Sequence, residues 1–391
     1  MIRYNFDEEI DRRGTDATLY EEQIEKFGHS GLMPMWIADM GFAVAPAISD
    51  ALKHRMEHPV LGYTTAPQSF WNAITDWLGK RQGWKVERAE TDYIPGVKKG
   101  LGLCLNYFTK PGDKIVIQPP VYHSFRSVIE GNFRIPLDNP LVAGKSTYTM
   151  DFENLEHLFK TEHPSLMIVC NPHNPIGTQW DRETLATLTS LCHRYGVNLI
   201  SDEIYGDLPL GSKHIPTASV SPEAEEITIT IGSPSKTFNI PGLASAWCVI
   251  KNPSLREGFF KWLLASEFNT PPLFAVTAME AAYAHSEEWL DNILIYLKGN
   301  ADYATSFLNA IDGVKAMMPE AGFGLWTDFR GLGLQKNELD NLLINHAGLA
   351  LSDGASFGPG GEGFKRINFG MSRSALERGL EKIAAAVGSI R

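Results

Sequence analysis

The sequence predicts an α/β protein, in which a mostly parallel sheet lies between helices and a smaller α+β domain follows. Two observations support this prediction. Short apolar runs alternate with longer amphipathic stretches in the middle of the chain, and this pattern changes near residue 286. Buried apolar strands separated by helices are typical of a parallel sheet that is covered on both faces. We expect a large domain over residues 45–285 and a small domain formed by residues 1–44 with 286–391.

The strand candidates of the large domain are short and apolar, and turn-forming residues bound several of them. They lie at residues 114–118, 133–137, 166–170, 197–201, 227–231 and 247–251. Amphipathic periodicity predicts a helix at 182–195, and a glycine turn at residue 96 precedes a helix that runs to about residue 108. In the small domain we predict helices at 287–310 and 339–346, a segment at 324–329, a strand at 366–369 and a final helix.

The composition limits the classes of function. The 391 residues carry a net charge of −11 and are 43% hydrophobic, which disfavours nucleic acid or an anionic membrane as a partner. The four cysteines are far apart and lack metal-binding spacing, so we expect no metal site and a reducing compartment. No apolar leader or run of roughly 18 apolar residues is present. We therefore expect a cytoplasmic protein without a membrane span.

Three polar segments each follow a predicted strand, at the edge where open α/β sheets collect ligands. Asn174 lies in NPHNPIG, Asp202 in SDEIY and Lys236 in SPSKTFN. A carboxylate at a buried strand end needs a cationic partner, such as a pyridinium nitrogen. A lysine beside two serine hydroxyls suits an aldehyde that also carries a phosphate. Each segment alone is also compatible with a turn, a helix cap or a solvent-exposed lysine, but the three together are far more specific.

The order of Asn174, Asp202, Tyr205 and Lys236, spaced by 28, 3 and 31 residues, resembles the fold-type I enzymes that depend on pyridoxal phosphate (PLP). These are the aspartate aminotransferase-like class I/II superfamily, and the resemblance spans nearly the whole chain. It implies that Lys236 carries PLP as a Schiff base and that Asp202 pairs with the pyridine nitrogen. Asn174 and Tyr205 would contact the ring hydroxyl.

The same resemblance implies a phosphate site. A glycine turn at a helix N-terminus presents free N–H groups to an anion. The family places the cofactor phosphate at such a turn, which here corresponds to Gly96, Val97 and Lys98. The hydroxyls of Ser233 and Ser235 would bind further phosphate oxygens.

Three more positions match the family. Tyr122 matches the aromatic residue that stacks on the pyridine ring, although a core tyrosine is an alternative. Tyr63 matches a tyrosine that reaches the phosphate of the neighbouring subunit, which implies a homodimer with shared active sites. Arg366 matches the arginine that binds the substrate carboxylate through a bidentate fork, with a surface charge as the alternative. We count Lys236, Asp202, Tyr205 and Tyr63 as candidate catalytic residues.

Several segments look more like one branch of the superfamily, the cystathionine β-lyases or MalY/PatB-type C–S lyases. They include LMPMWIADM at residues 32–40, SDEIYGDL at 201–208 and LSDGASFG at 351–358. Many superfamily members have arginine eight positions after the lysine that carries PLP, but this chain has Ala244 there. This difference disfavours an aminotransferase. The branch usually has a second acidic residue at the position of Gly41. The resemblance implies α,β-elimination of sulfur-containing amino acids to thiol, pyruvate and ammonia.

Two other functions stay open. An aminotransferase would use the same residues and differ only in the fate of the substrate carbanion, so the site residues do not separate the two reactions. A PLP-binding regulatory protein is more distant, since no DNA-binding domain or basic arm is visible. The G-x-G-x-x-G pattern at residues 358–363 does not open a helix after a strand, and we interpret it as a loop instead of a dinucleotide site.

Overall fold

The computed structural model describes residues 4–144 and 147–390. Residues 1–3 and 391, which fall in the predicted small domain, lie outside the described residues. The strands in chain order are β1 Met33–Pro34, β2 Thr91–Ile94, β3 Lys114–Ile117, β4 Ile135–Asp138, β5 Val142–Ala143, β6 Tyr148–Thr149, β7 Leu166–Cys170, β8 Asn198–Asp202, β9 Thr228–Gly232, β10 Ala246–Ile250, β11 Lys315–Ala316, β12 Gly324–Asp328, β13 Leu349–Ala350, β14 Ser352–Asp353 and β15 Phe364–Asn368.

The α-helices in chain order are α1 Thr18–Glu21, α2 Gln23–Phe27, α3 Pro46–Glu57, α4 Gln68–Trp77, α5 Val97–Phe108, α6 Ser124–Gly131, α7 Phe152–Glu162, α8 Arg182–Arg194, α9 Pro222–Ile227, α10 Pro234–Thr237, α11 Pro253–Ala265, α12 Leu273–His285, α13 Glu287–Asn309, α14 Lys336–Asn341 and α15 Arg373–Gly388. A π-helical turn, Leu342–His346, continues α14, so the helix predicted at 339–346 is two joined helical segments.

The large sheet has seven strands in the order β2-β10-β9-β8-β7-β3-β4. The five strands β3, β4, β7, β8 and β9 run parallel, whereas β10 is antiparallel to both of its neighbours. The α/β fold with a mostly parallel sheet is therefore confirmed. The strand predicted at 247–251 is β10, and β2 was not predicted because its short sequence TDYI alternates poorly.

The three central strands end at the same edge of the sheet. Cys170 pairs with Asp202 at the ends of β7 and β8, and Asp202 pairs with Ile231 near the end of β9. β7 and β9 are fully buried and β8 is buried except at its first residue, as expected where helices cover both faces. The loops after them, which hold the three predicted polar segments, must therefore meet at one edge.

A second sheet with the strand order β11-β12-β15-β14 is antiparallel, and β1 pairs with β13 in parallel. Helix α12 ends at His285 and α13 begins at Glu287, next to the boundary predicted at residue 286. One hydrophobic cluster includes buried residues from both predicted domains, such as Trp77, Trp247 and Leu380. The division into two domains stays a prediction. Among the described residues, no helix has the combined length and apolarity that a membrane crossing requires.

Candidate active site

A cleft of about 380 Å³ opens at the edge where the central strands end. It brings together residues that are far apart in the sequence but were predicted to share one site. The predicted residues that line it are Gly96, Val97, Lys98, Tyr122, Asn174, Asp202, Tyr205, Ser235 and Lys236.

Lys236 lies in the short helix α10, which begins two residues after the end of β9. Its Nζ donates a hydrogen bond to the carbonyl oxygen of Ala38. Burial lowers the pKa of Lys236 to about 8, and the positive charge of Arg366 contributes to this decrease. The negative charges of Asp39 and Asp202 act in the opposite direction. About a tenth of the amine is therefore neutral at pH 7, the form that attacks an aldehyde.

Asp202 is the last residue of β8 and is only 3% exposed. Its Oδ1 accepts one hydrogen bond, from the N–H of Ile204 at 3.2 Å, and it forms no ion pair with any described residue. Burial raises the pKa of Asp202 to about 7. The hydrogen bond from the Ile204 N–H lowers this pKa, and the charge of Glu203 raises it further. A buried carboxylate with so few donors is suited to a cationic ligand.

The opposite end of the cleft favours an anion. Gly96 precedes α5 with φ of 104°, a backbone conformation that side chains other than glycine rarely adopt. The first N–H groups of α5 have no partner within their own helix, and Lys98 and Lys99 line the same end. A positive end and a buried carboxylate in one cleft fit PLP, whose phosphate is anionic and whose ring nitrogen is basic.

Arg366 projects from β15 and is buried, yet it forms no ion pair with a described residue. Its Nη2 donates to the carbonyl oxygen of Trp36 at 2.8 Å and to Ser352 Oγ at 3.1 Å, and its Nη1 donates to Asn174 Oδ1 at 3.1 Å. The guanidinium also lies 5.1 Å from the ring centroid of Phe357. A buried cation held only by neutral acceptors is suited to a carboxylate ligand.

The two aromatic residues of the cleft are positioned by edge-to-face contacts. Tyr205 contacts Phe323 at a centroid distance of 5.7 Å, and Tyr122 contacts Phe125 at 5.9 Å. Burial raises the pKa of Tyr205, so its hydroxyl stays protonated. Both rings are therefore fixed against the core while one side of each faces the cleft.

Three predicted site residues do not line the cleft, and one of them, Arg366, lines the adjoining pocket together with Asn174 and Tyr205. Ser233 caps α10: its hydroxyl accepts from the N–H of Ser235 at 3.0 Å and donates to the carbonyl oxygen of Ser245. Tyr63 is fully exposed in this single chain, away from the cleft. The hydroxyl of Ser233 thus holds the backbone around Lys236, and the roles predicted for Ser233 and Tyr63 stay predictions.

Sequence reasoning missed several residues that hold the site. The carbonyl oxygens of Trp36 and Ala38, and the side chains of Ser352 and Phe357, contact Arg366 or Lys236. The only signal for them was that residues 32–40 and 351–358 resemble segments of one enzyme branch. Neither stretch carries a side-chain pattern that predicts these contacts.

The seven-stranded sheet and its cleft define the class of protein, an aspartate aminotransferase-like α/β enzyme. The family of class I and II aminotransferases matches residues 37–383, and the chain belongs to this family. A relative in Bacillus subtilis (strain 168), cystathionine beta-lyase PatB, is 41% identical over 385 residues, or 98% of this chain and 100% of the relative.

Two solved structures are similar over the whole chain. The PLP-bound C–S lyase from Staphylococcus hominis is 33% identical, with a TM-score of 0.92 and coverage of 99% of this chain and 98% of that chain. Cystalysin from Treponema denticola, which contains a pyridoxal 5'-phosphate cofactor, has a TM-score of 0.95 at 29% identity, with 100% of both chains covered. The expected family and its C–S lyase branch are confirmed.

Proposed function

We propose that this protein is a PLP-dependent C–S lyase that converts sulfur-containing amino acids to thiol, pyruvate and ammonia. The observation that carries the proposal is the pair formed by Lys236 and Asp202. A partly neutral amine lines the same cleft as a buried carboxylate that forms no ion pair with a described residue. The likeness to PatB and to the Staphylococcus hominis C–S lyase supports the choice of reaction.

The donor set of the cleft fits PLP. Lys236 would bind the aldehyde, and Asp202 would keep the ring nitrogen protonated. The N–H groups that follow Gly96, together with Ser235, would bind the phosphate. Asn174 and Tyr205 would contact the ring hydroxyl, and Tyr122 would pack on the ring. When bound, PLP supplies an electron sink for negative charge at the substrate Cα.

The substrate residues follow from the same geometry. Arg366 binds the α-carboxylate of the amino acid, because it is a buried cation whose present partners are neutral. The amine of Lys236 takes up the proton from Cα, a task for which a pKa near the working pH is most effective. A thiolate on Cβ then leaves, and hydrolysis of the remaining enamine consumes one water and releases pyruvate and ammonia.

An exposed apolar segment supports a homodimer. Met56, Val60 and Leu61 are more than half exposed, and Tyr63 is fully exposed beside them. Large apolar side chains grouped on a surface are typical of a protein interface. We propose that this segment packs on a second copy and that Tyr63 completes the phosphate site of that copy. Sedimentation of the protein and the PLP affinity of Tyr63→Phe test this proposal.

A product assay tests the reaction. Purified protein with PLP and cystathionine should release pyruvate, and Lys236→Ala should release none. Lys160→Ala, which removes an exposed lysine on α7, is the matched control and should retain full activity. Amino transfer to 2-oxoglutarate without pyruvate would overturn the lyase in favour of an aminotransferase. Failure of both reactions despite bound PLP would favour a regulatory protein.

A further inference from the structure

One segment of the chain separates the active-site cleft from a second cavity. We call residues 36–42, which cross between the two cavities, the strap. Ala38 lines the cleft that holds Lys236, whereas the next residue, Asp39, lines a cavity of about 300 Å³ on the other side. The side chain of Asp39 therefore lies behind the strap, outside the space open to a substrate.

The strap is fixed by side-chain amides from two distant elements. Asn368 donates to the carbonyl oxygens of Ile37 at 2.7 Å and Asp39 at 2.6 Å. Asn239 accepts from the N–H of Met40 and donates to its carbonyl oxygen, both at 3.0 Å. The backbone on both sides of Asp39 is therefore held in place by contacts that do not involve the Asp39 side chain.

The carboxylate of Asp39 forms one ion pair behind the strap. Arg12 Nη2 lies 2.8 Å from Asp39 Oδ2, with side-chain exposures of 30% and 18%. Burial lowers the pKa of Lys236, and Asp39 is the largest influence that opposes this shift. The charge of Arg12 partly offsets the charge of Asp39. Removal of one partner or the other should therefore shift the pKa of Lys236 in opposite directions.

We propose that Asp39 is a positioning residue that sets the proton affinity of Lys236 through the strap, and that Arg12 moderates this effect. The inference depends on the proposed function in one respect only, which is that Lys236 gains and loses a proton during turnover. Other charged or titratable groups face the same cleft from the elements around it. They are Asp202, Lys98, Lys99, Tyr122, Tyr205 and Cys170, and the charge of Arg366 also acts on Lys236 from the adjoining pocket.

The two partners of the ion pair should change the titration of Lys236 in opposite directions. Asp39→Asn removes a nearby negative charge and should lower the titration midpoint of the amine by roughly 0.5–1 pH unit. Arg12→Ala leaves the Asp39 charge unbalanced and should raise the midpoint by a smaller amount. The double variant should titrate between Asp39→Asn and the wild-type protein, because the smaller increase offsets only part of the decrease. A role in packing alone predicts no such reversal of sign.

The measurement uses the cofactor-free full chain. The rate at which acetic anhydride acetylates Lys236, followed by mass spectrometry between pH 6 and 10 against a free peptide standard, gives the midpoint of the amine. In the PLP-loaded protein, the pH midpoint of the visible absorption band gives a second readout. A wild-type protein that forms no such band would contradict the proposed function, whereas the acetylation midpoints would still report the effect of Asp39.

Arg13→Ala is the matched control, because Arg13 forms an exposed ion pair with Asp11 beside the same segment. It should leave both midpoints unchanged. An unchanged midpoint in Asp39→Asn, or shifts of the same sign in both single variants, would overturn the proposal. If Asp39→Asn fails to fold, Arg12→Ala decides the question alone, since only a raised midpoint supports the proposal and Arg12→Lys should restore it.

Discussion

Two consecutive carboxylates at the end of β8 are equally buried but have opposite surroundings. Asp202 and Glu203 are each 3% exposed. Asp202 faces the cleft and accepts a single hydrogen bond. Glu203 accepts from Ser201 Oγ at 2.8 Å and from the N–H of Thr217 at 2.9 Å, and it pairs with His214 Nε2 at 2.8 Å. Successive residues of a strand point to opposite faces, which separates the two environments.

The difference shows which carboxylate belongs to a ligand and which to the fold. Glu203 has a full set of partners, all from the chain, so its burial is already compensated. Asp202 lacks such partners among the described residues, and its pKa is raised to about 7 by burial. The same strand end therefore combines a structural anchor with a site that is completed by a bound cation.

The largest effect should come from removing the charge of Asp202. Asp202→Asn should lower kcat for pyruvate release by about 10³-fold, since loss of one member of a buried charge pair costs about 3–5 kcal/mol. Glu203→Gln is the matched change on the neighbouring residue. It should cost less than about tenfold, because Gln retains an acceptor for Ser201 and Thr217. Steady-state assays of both variants measure this contrast, and equal losses would contradict it.

The second effect concerns stability. Glu203→Ala leaves the N–H of Thr217 and the buried ring of His214 without their acceptor, and should lower the free energy of unfolding by about 3 kcal/mol. Asp202→Ala removes only one weak hydrogen bond and should change it far less. Urea denaturation of the cofactor-free proteins measures both values. A larger loss in Asp202→Ala would show that the roles are reversed.

The residues at the ends of the central strands could be predicted from the sequence, whereas the contacts that hold them could not. Asp202, Asn174 and Lys236 were predicted because each lies in a polar segment that follows a predicted strand, and parallel strands bring such segments to one edge. The contacts of Lys236 with Ala38 and of Arg366 with Trp36 join positions that are 198 and 330 residues apart. Their acceptors are backbone carbonyls, which every residue has, so no sequence pattern marks them.

The partners of Glu203 were missed for a related reason. His214 lies in an irregular segment and Thr217 begins a three-residue 3-10 helix, neither of which has a periodic pattern, and the motif SDEIY directed attention to Asp202 and Tyr205. Strand bounds, by contrast, differ from the predictions by one or two residues, because local apolar runs determine them. The predicted role of Ser233 as a phosphate ligand stays a prediction, and its hydroxyl is engaged as a helix cap.

The smallest effect is a pH dependence of stability that only Asp202 should produce. In the cofactor-free protein its folded-state pKa of about 7 exceeds the unfolded value of about 3.9. The folded state therefore binds the proton more tightly, and this stabilisation is complete below the unfolded pKa and is lost as pH rises through the folded pKa. The free energy of unfolding of the wild-type protein, relative to Asp202→Asn, should fall by about 2 kcal/mol between pH 5 and 7.

Urea denaturation at pH 5, 6 and 7 measures this difference, and the Asn variant removes the contribution of all other titrating groups. Saturation with PLP should weaken or reverse the trend, because a protonated ring nitrogen beside Asp202 favours the ionised carboxylate. A difference that is flat or rises with pH in the cofactor-free protein would mean that Asp202 is compensated within the fold. In that case the two carboxylates would not differ in kind, and Asp202 would no longer identify the ligand site.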